Sequence, residues 1–416
     1  MKLALSNEKI GNHHFQFLLF YNRISSWPDK EKARETLNQA EAKVIVIGGG
    51  IIGCSIAYYL AKTGTETVVI EKGNRVGSEA SWAAAGILAC RASTRNPYAE
   101  LCRYSLALYP TLAKELQTVT GINIEFIQSG VLCIFLTEDE KKNWEGLAQR
   151  RLKHGYSAEI LSSEQVQTLE PSISKKVIGG VHFPEDAQVR NPRLVKALAC
   201  AAAKLGTKFL TGHSVKQFLF DGNQVVGVET SEDRILGDQF VIAAGPWSHQ
   251  VANFLGVALP IKPAKGQMII AETVEPIINR PIHGLETYIV PRTDGKLWVG
   301  PTVEDVGFDD RTTLSGIHQI LESAIQLVPA LAEKTLLKTR AGLRPKGKGK
   351  PYLGRLTEYC NVIVASGHYK NGILLAPITG KLIAELITKD NTSLSLDPFG
   401  VNHNTFSQQG GNEQKE

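Results

Sequence analysis

The chain has 416 residues, enough for two domains around sizeable cores. Its 43 % apolar and 21 % charged content is that of an ordinary globular protein, and a net charge of +5 over this length lacks the clustered basic face of a nucleic-acid binder. Six cysteines (Cys54, Cys90, Cys102, Cys133, Cys200, Cys360) form no C-x-x-C pair, which argues against a zinc site or redox dithiol and fits a reducing, cytoplasmic compartment.

In chain order, residues 1–42 carry an aromatic patch (Phe15, Phe17, Phe20, Tyr21, Trp27) and then a mixed-charge stretch; a loosely ordered extension is expected. Residues 43–73, KVIVIGGGIIGCSIAYYLAKTGTETVVIEKG, read as one strand–turn–helix–strand unit. An apolar run at 44–47 leads into Gly48, Gly50 and Gly53 in the G-x-G-x-x-G spacing. Ile52, Ile56, Ala57 and Leu60 mark a helical face, Gly64 ends it, and a second apolar run reaches Glu71. Gly48 permits the tight turn, Gly50 lets a pyrophosphate approach the backbone, and Gly53 lets the helix lie close on the sheet. The N–H groups and positive end of that helix suit phosphates. Glu71 can accept from both ribose hydroxyls and disfavours a 2′-phosphate. The unit therefore predicts an FAD or NAD site rather than an NADP site, and alone does not decide between the two.

Residues 77–88, GSEASWAAAGIL, are too small to build a wide hydrophobic face and suit close passage under a flat ligand. A helix is predicted over 98–116, a strand over 129–136 and a polar amphipathic helix over 139–153. Asn191 and Pro192 mark the start of an alanine-rich helix over 194–205. Strands follow at 208–210 and 214–220, with Asp221, Gly222 and Asn223 turning into 224–229. The apolar strand 240–244 ends at Gly245, Pro246, Trp247 and Ser248, a second phosphate-side turn.

Residues 259–352 change character. Strands at 266–271, 287–291, 297–301 and 336–343 with one helix at 313–328 predict an antiparallel sheet, one face on a core and one on a cavity. Lys346, Lys348 and Lys350 suggest a positive loop at its mouth, or a solvated turn. A strand at 361–365, a loop at 366–372 and a helix at 373–387 follow; Pro377 fits this helix only in its first turn. The tail beyond Leu396 is polar and expected to be disordered. No apolar run reaches the ~18–20 residues of a membrane span. The expected fold is α/β: a Rossmann-like dinucleotide domain from 43–125, 190–258 and 355–390, an inserted antiparallel α+β substrate domain from 126–189 and 259–354, and terminal segments 1–42 and 391–416. A nucleotide domain in three pieces is common among FAD oxidases and unusual among NAD dehydrogenases.

Four stretches, VIVIGGGIIGCSIAYYL, SWAAAGILA, RAGLRP and GHYKNGILLAPITG, resemble the glycine oxidases, within the D-amino-acid oxidase and sarcosine oxidase group of flavoproteins. The likeness runs from about residue 43 to 390 and leaves both termini without a counterpart. It implies FAD as cofactor and oxidation of glycine, or of small amines such as sarcosine and D-alanine, to an imine, with O2 reduced to H2O2. It also implies a thiazole synthase that takes the labile imine into thiamine biosynthesis, and a homotetramer as the assembly to test.

Carried over by residue, the resemblance implies Arg344 as the carboxylate-binding guanidinium, with Tyr288 and Lys370 beside the substrate; Arg292, four residues after Tyr288, points the same way in strand alternation and is expected in a supporting or structural place. Cofactor contacts would come from Gly48, Gly50, Ile51, Ile52, Gly53, Glu71, Lys72, Ser81, Ala84, Ala85, Gly86, Val215, Ala244, Gly245 and Trp247. The last loop would add Gly367, His368, Tyr369, Asn371, Gly372 and Ile373, with the helix start stabilising negative charge at the N1–C2=O edge of the ring. Lys370 stands where relatives usually carry arginine; it keeps the charge and loses the planar fork. Cys360 lies outside the position where sarcosine oxidases attach flavin, so non-covalent FAD is expected.

Overall fold

The computed structural model describes residues 40–92 and 94–401. The expected N-terminal extension lies almost wholly outside them, as does the tail beyond Val401.

Ala40–Ile47 sits inside an eight-stranded sheet. Thr67–Glu71 pairs with it in parallel on one side and Arg234–Ile242 on the other; Lys208–Thr211 and Val362–Ser366 extend the parallel array outwards. Tyr352–Arg355 closes one edge antiparallel, and the hairpin Val215–Asp221 with Gln224–Thr230 joins Arg234–Ile242. Side chains alternate as a strand requires. Val44 and Val46 face a core under the helices Ile51–Lys62, Pro97–Thr120, Asn191–Lys204 and Gly372–Lys389. Ile45 and Ile47 face a second core with Phe218, Phe240 and Val251. The register pairs Ile47 with both Ile70 and Ile242, and Ile242 with Val364. The carboxyl ends of four strands therefore open at one edge, where α/β sheets bind ligands.

A second eight-stranded sheet runs in the order Thr335–Lys346, Lys262–Glu272, Lys296–Gly300, Thr287–Pro291, Ile282–Gly284, Val131–Phe135, Gly179–Phe183, Glu159–Ser162. Its pairs are antiparallel except Ile282–Gly284 against Val131–Phe135. One face packs beneath Leu314–Leu327 around Ile269, Ile289 and Val299. The other presents Met268, Ile270, Val290 and Trp298 towards Ala85 and Ile87 of the small-residue segment.

Two expectations are corrected. Pro377 is not in a first turn but sits deeper inside Gly372–Lys389. Proline removes the donor that the Ile373 carbonyl would have used, and Tyr109 donates its hydroxyl to that carbonyl instead. Ser105 Oγ donates to Leu374 O at 2.6 Å and accepts from Ile378 N at 3.3 Å, while Ser55 Oγ donates to Ala376 O at 2.7 Å. A helix broken by its own sequence is thus completed by two others. The stretch after Leu396 is also not free: Asp397–Phe399 forms a turn, Phe399 and Val401 are buried, and the Pro398 carbonyl accepts from Lys350.

Among the described residues one helical stretch, Tyr369–Lys389, is long and apolar enough by composition to cross a membrane. Here it packs on Ile51–Lys62 and Pro97–Thr120, which accounts for its apolar surface.

Candidate active site

A cavity of about 650 Å³ begins at the carboxyl edge of the first sheet and reaches the inner face of the second. At its first end the glycine turn divides by role. A Cβ on Gly48 would lie 2.5 Å from Ala243 O, and one on Gly53 would lie 1.9 Å from Gly48 O, so the fold itself demands both glycines. A Cβ on Gly50 would meet only Ser81 Oγ at 3.6 Å. The protein leaves that space open beside the cavity, as a pyrophosphate running past the backbone requires. Ile51–Lys62 starts there with no cap from Gly50 and no acid in its first turn, so no charge within the helix offsets its positive end. Glu71 Oε2 accepts from Gly49 N at 2.8 Å and Oε1 from Gly73 N at 2.7 Å. Each oxygen keeps acceptor capacity for ribose hydroxyls. These features fit the ADP half of a dinucleotide. Beside them Lys72 Nζ lies 3.1 Å from the centroid of the Trp247 ring, and burial lowers its pKa.

The small-residue segment crosses the middle of the cavity and is held from below. Ile51 N donates to Ser81 Oγ at 3.0 Å, and Asn191 Nδ2 donates to Ser81 O. Arg340 Nη1 donates to Trp82 O at 3.0 Å with its guanidinium 4.2 Å from that ring. Arg292 is buried, donates to Gln188 Oε1, Val189 O and Ala85 O, and stacks on Trp298 at 4.3 Å. It supports the segment and does not line the cavity.

The far end carries the expected substrate residues. Arg344, Tyr288 and Lys370 all line the cavity, as do His368, Tyr369, Asn371, Gly372 and Ile373. Arg344 lies over Gly266, whose missing side chain makes room for it. Its Nη1 donates to Lys265 O at 3.2 Å and Thr302 O at 3.3 Å, and it forms no ion pair among the described residues. Burial lowers the pKa of this guanidinium, opposed by Tyr369 and Glu304. Tyr288 stands three strands away in the sheet and stacks on His283 with ring centroids 4.1 Å apart. Burial pushes its phenol up to about 12. His368 Nε2 meets Thr379 Oγ1 at 3.0 Å, while its buried Nδ1 has no partner; burial holds its pKa down at about 3.

Of the expected cofactor residues, Ile51, Ile52, Lys72, Ser81, Ala84, Ala85, Gly86, Val215, Ala244, Gly245 and Trp247 line the cavity with Gly48, Gly50 and Glu71. Gly53 and Gly367 do not. Gly53 is spent on helix–sheet contact, and Gly367, at φ +79°, turns the chain against Tyr352. Sequence reasoning missed Arg91, Trp144, His283 and Glu286, which also line the wall. Arg91 pairs with buried Asp186. His283 is held neutral by burial, with a pKa of about 3, and its Nδ1 lacks a partner. Leu285 and Glu286, both at positive φ, form the turn at the cavity lip. No local pattern in the sequence marks these four; His283 comes in on a paired strand, Glu286 on the turn after it, Trp144 on the helix Glu138–Lys153 and Arg91 on a loop.

Comparison with known proteins agrees with this geometry. The FAD dependent oxidoreductase (DAO) family model matches residues 43–386. A glycine oxidase of Geobacillus kaustophilus is 33 % identical over 370 residues, covering 86 % of this chain and 96 % of that protein. A Bifunctional protein ThiO/ThiG of Trichormus variabilis is 36 % identical over 364 residues, covering 86 % of this chain and 54 % of that protein, so the chain matches about half of the bifunctional relative. The crystal structure of the glycine oxidase from Geobacillus kaustophilus superposes with a TM-score of 0.84 at 32 % identity, covering 88 % of this chain and 99 % of that one. A glycine turn shaped for a pyrophosphate, an acid for ribose and a second sheet roofing the same cavity all agree with that match, and the chain belongs to the FAD-dependent oxidoreductase family.

Proposed function

We propose that the protein oxidises glycine, and small amines such as sarcosine or D-alanine, to the imine, with O2 reduced to H2O2. The observation that carries this reading is Arg344: a partly buried cation without a carboxylate partner among the described residues, in the same cavity as the dinucleotide turn. FAD, when bound, supplies the hydride acceptor. Arg344 would hold the substrate carboxylate by a charge-assisted bidentate bond, about 1.5–3 kcal/mol with fixed orientation. Tyr288 and its stacked partner His283 would wall the far side. No acid–base dyad is asked of the chain; the substrate need only present its amine uncharged.

No cysteine lines the cavity, which supports non-covalent attachment of FAD. We further propose a cytoplasmic setting, supported by six free thiols. A thiazole synthase would capture the labile imine, a coupling in keeping with the bifunctional relatives. A homotetramer is the assembly we would test for.

The test is a peroxide assay of the purified yellow protein with glycine, sarcosine and D-alanine. Arg344→Met should raise KM for glycine roughly ten- to hundred-fold with little change in kcat. Turnover with a dye under nitrogen and no peroxide in air would instead make the protein an amine dehydrogenase.

A further inference from the structure

Behind Arg344 lies a charge cluster, buried at its lysine and partly exposed at its acid, that the proposed reaction does not use. Lys265 is 1 % exposed. Its Nζ meets Glu304 Oε2 at 2.9 Å and donates to Arg311 O at 3.2 Å. Glu304 Oε1 accepts from Gln267 Nε2 at 2.8 Å and from Thr302 Oγ1. The backbones of Lys265 and Glu304 bond to each other in both directions, at 2.9 and 3.0 Å. Arg344 stands on the same scaffold, donating to the carbonyls of Lys265 and Thr302. Glu304 is also the carboxylate whose charge reaches Arg344.

Two carboxylates thus have a claim on one guanidinium: Glu304, tethered close by, and that of an incoming amino acid. A tethered acid competes at high effective concentration. Glu304 does not pair with Arg344: Lys265 holds its Oε2, and Gln267 and Thr302 hold its Oε1, so the carboxylate is drawn to other donors. A buried ion pair is weak evidence of stabilisation in itself, since desolvation offsets much of its attraction. Its placement here does something more specific. We propose that Lys265 is a positioning residue for substrate binding: by pairing with Glu304 it keeps that carboxylate off Arg344 and leaves the guanidinium open to the substrate's carboxylate. This rests on the role proposed for Arg344.

The test uses the FAD-loaded protein and five variants: Lys265→Met, Lys265→Arg, Glu304→Gln, Lys265→Met with Glu304→Gln, and Arg344→Met. KM and kcat for glycine are measured, together with the Kd of acetate, an inert carboxylate, read from the flavin spectrum. Lys265→Met should raise KM and the acetate Kd roughly ten-fold and leave kcat within about two-fold. Adding Glu304→Gln should return both constants close to wild type, and Lys265→Arg should change neither. A double variant as impaired as Lys265→Met would mean that the cluster merely holds the strands together, and would overturn the proposal. So would a Lys265→Met enzyme with wild-type constants. If Lys265→Met does not fold, Glu304→Gln alone decides: KM at or below wild type is expected, and a raised KM overturns the idea. Arg344→Met separates the two levels. If it leaves both constants unchanged, the carboxylate reading of Arg344 falls and this inference with it; if it raises them while Lys265→Met does not, only the inference falls.

Discussion

Gly50→Ala separates what the fold requires from what the cofactor requires. The added methyl would meet nothing closer than Ser81 Oγ at 3.6 Å, and the backbone there, φ −73° and ψ −175°, suits alanine. Stability of the FAD-free protein should therefore stay within about 1 kcal/mol of wild type, with any shift on the stabilising side. The same methyl enters the path assigned to the pyrophosphate. Overfilling a packed contact costs about 1–3 kcal/mol, or about 5- to 150-fold in Kd for FAD. Quenching of flavin fluorescence on titration into apoprotein gives the Kd, and urea denaturation of the apoprotein gives the stability. Gly53→Ala is the contrast: its Cβ would sit 1.9 Å from a backbone oxygen, so the apoprotein itself should be badly destabilised. FAD bound by Gly50→Ala as tightly as by wild type would refute the assignment. So would an apoprotein weakened by more than about 2 kcal/mol.

Burial holds His283 and His368 at pKa values of about 3. The unfolded chain takes up those protons near pH 6.5, so between pH 6.5 and 3 it binds more protons than the fold does, and stability falls as the pH falls through that window. Each histidine contributes a loss of about 2 kcal/mol by pH 5. Urea midpoints at pH 7 and pH 5 should therefore differ less in His283→Asn than in wild type; an equal difference would count against a buried neutral ring. Tyr109→Phe strands the Ile373 carbonyl and should cost about 1–3 kcal/mol. The loss should shrink when Pro377→Ala restores a backbone donor, and a thermal-melt double-mutant cycle showing no coupling would contradict the account of the broken helix. Acid precipitation of the loaded protein should leave the yellow colour in the supernatant; a yellow pellet would mean covalent flavin.

The glycine turn was readable because its signal is local. Strand, glycines, helix and acid follow one another within a single unit, although the contact that demands Gly48, with Ala243 O, comes from a distant strand end. Thr287–Pro291 was readable for the same reason: its alternation matches one buried and one cavity-facing side. Helix Pro97–Thr120 runs past its expected end to Gly121, whose φ of 75° caps it, and tolerates Pro110 inside. The depth of Pro377 was not readable. What rescues that helix is the hydroxyl of Tyr109, 264 residues earlier in the chain. The same holds for Arg91 and His283 in the site. Their place depends on the parallel pairing of Ile282 with Leu132 and on the carboxylate of Asp186, neither of which leaves a mark in the flanking residues.

The helix Gly372–Lys389 has a consequence for biosynthesis. Its amino end lines the cavity, and it is fastened to Ser55, 321 residues earlier. While the ribosome is still translating the middle of the gene, the glycine turn is made but this wall of the cavity is not. Cofactor capture should then be a late event, following release of this helix from the exit tunnel. The face of Ile51–Lys62 that packs on this helix in the folded protein should stay uncovered until then.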